Sequence, residues 1–192
     1  YKLSDKDAGK SSEKKIKKLI SVINNNKVDF QFISSPENVA WLLNLRGLDS
    51  EFVPIPNSYL IVSNKSKVSF FCDLKKIDQK LKEDLINIEI IDIKNIEIFL
   101  SKLKGKIFQL DNNSCSFFFK NFIKKNNVII EKQDPIYLFK SIKNKIEIKN
   151  TINTHVHDGV ALTKFLFWVK NNFKKKKISE IEAKEKLLKF RK

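Results

Sequence analysis

No apolar run in this 192-residue sequence reaches the length that a membrane-spanning helix needs. Apolar stretches such as residues 59–62 and 117–119 are strand-sized or shorter. No basic n-region, apolar h-region and small-residue cleavage site opens the chain, so no secretory signal is visible. Tyr1 rather than methionine stands first, which reads as a natural N-terminus lying upstream. Cysteine occurs only as Cys72 and Cys115. Their separation gives neither metal-ligand spacing nor a disulfide framework, and a reduced, cytoplasmic setting is the simpler reading. Arginine is scarcer still: of 38 basic residues only Arg46 and Arg191 are arginine. Nucleic-acid readers exploit the planar arginine fork. The formal charge of +16 therefore reads as a solvated lysine surface, not as a nucleic-acid site. Lysine is abundant together with Ile, Asn and Phe, residues that share A/T-rich codons.

What is present suffices for a folded core, with 42% hydrophobic residues. Residues 1–10 read as a loose lead. Ser11-Ser12-Glu13 opens a helix carrying Ile16, Leu19, Ile20 and Ile23 at helical spacing, stopped by three asparagines at 24–26. Residues 28–33 largely alternate apolar and polar side chains and predict a strand. Ser35-Pro36-Glu37 predicts a helix start, with serine as cap, proline at the first position and glutamate at the positive dipole end. Arg46-Gly47 is read as its stop. Residues 59–62 and 68–71 form a hairpin across a short polar link. Alternating helices and strands follow: helix 75–85, strand 88–91, helix 95–103, strand 106–110, helix 114–124, strand 128–130. This alternation predicts an α/β domain around a mixed sheet. No internal repeat appears.

At Gln133-Asp134-Pro135 the character changes. Strand signals end, and residues 136–169 are helical in pattern, with a break near 143–145. The lysine run at 174–177 is a charged loop, and Ser179-Glu180-Ile181-Glu182 is a capping box opening a last helix. That helix is still running at Lys192, so the chain reads as a fragment.

Three segments, in order, resemble the three-domain Xaa-Pro aminopeptidases of the creatinase/prolidase type. SSPENVAWLLNLRG, residues 34–47, is similar to that family's middle-domain helix and turn, with Asp49 and Pro54 in the loop that follows. Pro135-Ile136, residues 140–144 (KSIKN) and Glu147 resemble the opening of its catalytic domain, and HVHDGVAL, residues 155–162, resembles the first long helix there. The resemblance implies a creatinase N-terminal-like (middle) domain over residues 1–134. Residues 135–192 would be the first helices of a truncated pita-bread catalytic domain. It also implies two divalent metals, manganese or zinc, held by two Asp, one His and two Glu. Those five ligands are expected beyond Lys192, so this chain alone is expected to bind no metal and cleave nothing. The implied partners are peptides with proline second, and a second copy of the complete protein. No specific nucleic acid and no membrane are expected. Two other readings stay open: a non-catalytic pita-bread peptide or histone binder, and a related prolidase or creatinase-like hydrolase.

His155 matches a family histidine that lines the metal pocket without being a ligand, so it is the candidate catalytic residue. The plainer reading is a helix histidine bonded to a neighbour. His157 lies two residues on, off that helix face, which speaks against a metal pair. Asp158 reads as a solvated or pairing carboxylate, and Gly159 as room for another element to approach. Arg46 is the candidate substrate-binding residue, able to meet a substrate carboxylate; alternatively it complements the helix dipole. Trp41 is read as core.

Overall fold

The computed structural model describes residues 1–192. Contacts divide them into two compact units, Tyr1–Lys143 and Asn144–Lys192.

The first unit is a six-stranded sheet in the order β4-β3-β2-β1-β5-β6. Its strands are β1 (Phe30–Ile33), β2 (Tyr59–Ser63), β3 (Val68–Cys72), β4 (Glu89–Asp92), β5 (Ile107–Leu110) and β6 (Val128–Glu131). Only β2 runs antiparallel to its neighbours. Both faces are covered, so the two-residue alternation sorts apolar side chains between two cores. In β1, Ile33 faces one core and Phe32 the other; in β3, Phe70 and Phe71 divide likewise. The first core is closed by α2 (Ser12–Asn25), α3 (Pro36–Leu43), α4 (Gln79–Asp84) and α7 (Pro135–Ser141). The second is closed by α5 (Ile96–Ser101) and α6 (Phe117–Lys124). The result is the mixed α/β sheet flanked by helices that the alternation predicts.

Helix α2 starts where expected, with the Ser11 hydroxyl accepting from Lys14 N. It buries Ser12, Lys15, Leu19 and Ile23 at helical spacing. Lys15 lies inside because its ammonium donates to Trp41 O (2.9 Å) and Asn44 Oδ1 (2.6 Å) at the negative end of α3. The same ammonium sits 4.0 Å from the Trp41 ring centroid, and Trp41 packs half-buried against the first core.

Three local expectations are corrected. Residues 1–10 are not a loose lead. Lys2 forms a β-bridge with Leu45, and Ser4 caps the one-turn helix α1 (Asp5–Ala8), which ends on the left-handed Gly9. Helix α3 ends earlier than Arg46-Gly47, because Asn44 takes the left-handed conformation (φ 57°) and its N–H closes on Ala40 and Trp41. The segment read as one helix from residue 75 divides into a 3-10 turn, Leu74–Lys76, and α4, with Asp78 capping the latter.

The second unit is two helices, α8 (Lys145–Asn172) and α9 (Glu180–Arg191). It adds no strand to the sheet. A full capping box of Asn144 and Glu147 opens α8. At α9 only half the expected box forms: Ser179 accepts from Glu182 N, while the Glu182 carboxylate pairs with Lys176 instead.

Candidate functional site

Helix α3 leaves the carboxyl end of β1 towards one face, and α6 leaves the carboxyl end of the parallel β5 towards the other. Such a divergence opens a crevice where open α/β sheets take ligands. Here the chain fills it. Ser34 and Ser114 hydroxyls meet at 2.9 Å across the gap, and Asp134 N donates to the buried Asp111 Oδ2 at 2.9 Å. Burial pushes the Asp134 carboxyl up to about 6 from 3.8, opposed by the Ile136 N–H and the Asn38 amide; Asp111 adds to the rise, and Lys140 opposes it. The folded chain thus holds this proton more tightly than the unfolded chain. The resulting stability is complete below 3.8 and is lost as pH rises through about 6. Between pH 5 and 7.5 this group is expected to withdraw about 1 kcal/mol. Urea midpoints for the wild type and Asp134→Asn across that window check it. A wild-type midpoint that rises relative to the variant would contradict the assignment.

Arg46 lies beside a second hollow of about 300 Å³, whose lining includes Tyr1, Gly47, Asp49, Cys72 and Lys76. One guanidinium nitrogen donates to Leu45 O (2.8 Å), and the backbone of Arg46 exchanges two hydrogen bonds with Tyr1. The loop behind it is stapled at its base: Asp49 Oδ2 accepts from Asn57 N (2.6 Å) and Lys76 Nζ (2.7 Å). Gly47 is required there, since a Cβ would lie 2.8 Å from Pro56 backbone atoms. Burial raises the thiols of Cys72 and Cys115 to about 11, which keeps both protonated near neutral pH.

His155 stands exposed on α8, its Nδ1 2.8 Å from Thr151 O. A carbonyl only accepts, so Nδ1 is the donor of this bond and Nε2 is the ring nitrogen left open. His157 is also exposed. Asp158 receives the Arg191 fork, Nε at 2.6 Å and Nη2 at 3.2 Å, tying α9 to α8. Of the two readings, solvated or pairing, this is the pairing one. A Cβ at Gly159 would meet nothing within 4 Å in this chain. Gly159→Ala is therefore expected to stabilise α8 of the 192-residue chain by about 0.5–1 kcal/mol, through backbone entropy alone. Thermal unfolding followed by helical circular dichroism measures it; a loss of stability would contradict the open surroundings.

The chain's donor groups do not converge: nowhere do three or more His, Cys, Asp or Glu gather as a metal centre. No helix is long and apolar enough to cross a membrane. Of the three consecutive phenylalanines, Phe119 packs on Phe32 and Tyr59, while Phe117 and Phe118 are exposed. Helix α8 keeps Ile148, Ile152, Val156 and Val160 exposed at four-residue spacing, with only Ala161 buried. The set of buried Asn38 and Asp134 with half-buried Lys140 carries no signal of its own in the sequence. What is visible is Asn38, a polar residue inside the otherwise apolar turn of α3, with the Asp-Pro cap far downstream.

Residues 1–147 match the family profile of the Creatinase/Prolidase N-terminal domain. Xaa-Pro aminopeptidase 1 of Dictyostelium discoideum is 36% identical over 177 residues, covering 91% of this chain and 28% of its own length. Xaa-Pro aminopeptidase ApepP of Drosophila melanogaster is 33% identical over 178 residues, covering 88% of this chain and 28% of its own length. The chain thus spans well under a third of these two relatives. The crystal structure of X-prolyl aminopeptidase from Caenorhabditis elegans, described as a cytosolic enzyme with a di-nuclear active site, superimposes with a TM-score of 0.86. It is 24% identical, and the match covers 99% of this chain and 32% of that one. A family profile over three quarters of the sequence, two relatives above 30% identity and the shared mixed sheet carry one conclusion: the chain belongs to the creatinase/prolidase family.

Proposed function

We propose that this chain serves a metal-dependent aminopeptidase that releases the N-terminal residue before proline. Residues 1–134 act as the creatinase/prolidase N-terminal-like middle domain, and residues 135–192 begin the pita-bread catalytic domain. The observation that carries this reading is the pairing of the family match with names: the Dictyostelium and Drosophila relatives are both called Xaa-Pro aminopeptidases, and both extend far beyond the region matched. The bare apolar stripe on α8 supports it, since such a stripe is what a helix offers to a domain that packs on it.

The donors within the 192 residues do not fit a two-metal centre, because no three of them converge. In this proposal two divalent ions, manganese or zinc, are held by residues outside this chain, and supply hydroxide and carbonyl polarisation when bound. His155 faces the substrate pocket as a hydrogen-bonding group, and Arg46 is offered to a substrate carboxylate. The complete protein works in the cytoplasm as a homodimer, without nucleic acid or membrane.

The 192-residue chain tests this directly. It is expected to turn over no Xaa-Pro peptide above background, with or without manganese. Turnover that a chelator abolishes would overturn the account of where the metal lies.

A further inference from the structure

Helix α7 reads in sequence as the first element of a new part of the chain, yet each of its turns is tied to the sheet unit. At its start the Asp134 carboxylate, 2% exposed, accepts from Ile136 N (3.0 Å) and from Asn38 Nδ2 (2.8 Å). In its middle the Tyr137 hydroxyl donates to Glu37 Oε1 (3.2 Å) and lies 3.1 Å from the Ser35 oxygen. This explains why Ser35 stands at the cap position of α3 without making a cap bond. In its last turn Lys140 Nζ donates to Asn38 Oδ1 (2.6 Å). Between these ties Ile136 and Phe139, three apart and on one helix face, are buried in the first core.

Asn38 is the centre of this arrangement. It is fully buried at 0% exposure, and its amide spends the donor on one end of α7 and the acceptor on the other. Neither function can be supplied by an apolar side chain, and a buried partner left unpaired is destabilising. After α7 the ties stop. Ile142 is 68% exposed, and α8 begins afresh with its own capping box on Asn144.

We infer that Asn38 is a two-ended clamp which makes α7 part of the sheet unit, so that the joint of this chain lies at residues 142–144 and not at Asp134-Pro135. This inference does not rest on the catalytic reading. Under that reading the opening helix of the catalytic domain, α7, stays fixed on the middle domain, and the short link follows it.

Hydrogen exchange of the 192-residue chain at pH 7.5, where Asp134 is ionised, tests it. Backbone amides of residues 138–141 should share the protection of β1–β3 in the wild type, while residues 142 and 143 exchange freely. Asn38→Ala should lower protection across α7 by about tenfold or more while the strands keep theirs. Trypsin should then cut after Lys140 as readily as after Lys143. If Asn38→Ala does not fold, Lys140→Gln removes one tie from the surface and should loosen the last turn of α7 alone. The inference fails if wild-type α7 exchanges like residues 142 and 143. It fails equally if the folded variant leaves α7 protection unchanged.

Discussion

Replacing His155 by alanine in the complete protein is expected to lower turnover of an Xaa-Pro peptide on the order of a hundredfold, the scale for one positioned hydrogen-bonding or proton-handling group. Fold and metal content should stay as they are. The ring is fixed by its Nδ1–H bond to Thr151 O at 2.8 Å, so Nε2 is the nitrogen left to meet a substrate. A ring held at one nitrogen loses less freedom when the other engages. His157, two residues on, points elsewhere on α8, and His157→Ala should do far less. Steady-state kinetics with metal analysis on both variants checks this. A His155→Ala protein with unchanged turnover would make it a plain helix histidine, and one stripped of metal would make it a ligand; either outcome contradicts the assignment.

Phe32→Ala is expected to destabilise the first unit by about 3–5 kcal/mol, the range for emptying a buried aromatic site. Domain stability totals only about 5–15 kcal/mol, so this one change removes a large share of it. Phe32 is 1% exposed and sits on β1, between β2 and β5. Its ring lies 5.9 Å from Tyr59 in a stack and 5.5 Å from Phe119 edge-on. It thus joins β1, β2 and α6, and the gap left cannot close without moving all three. Urea unfolding followed by tryptophan fluorescence measures the loss. A cost below about 1 kcal/mol, the scale of a surface substitution, would show that the second core does not depend on this aromatic cluster.

The elements built on local chemistry were legible in the sequence. The polar link between residues 63 and 68 announced the β2–β3 hairpin, Ser11 announced α2, and Ser35-Pro36 announced α3. Features that depend on distant partners were not. Lys2 is ordered by Leu45, and Asn38 meets Asp134 across 96 positions, so no local pattern carries either. The end of α3 misled for another reason. Arg46-Gly47 has the look of a helix stop, but Asn44 adopts the left-handed conformation, and Gly47 serves the close approach of Pro56. Asp158 reads in sequence as a solvated or pairing carboxylate, and the partner that decides between the two, Arg191, lies at the far end of α9. Arg46 and His155 rest on motif likeness; the fold puts Arg46 beside a hollow and His155 on an open helix face, and their roles follow from the proposal rather than from a formed site.

The most direct test of the central claim is hydrolysis of an Xaa-Pro peptide by the complete protein, measured before chelation, after chelation and after manganese is restored, with the 192-residue chain in parallel. The account predicts activity that falls to background with chelator, returns with the metal, and is absent at every stage from the 192-residue chain. A complete protein that binds proline-containing peptides without cleaving them at any metal concentration would contradict the peptidase reading and favour a non-catalytic binder on the same fold.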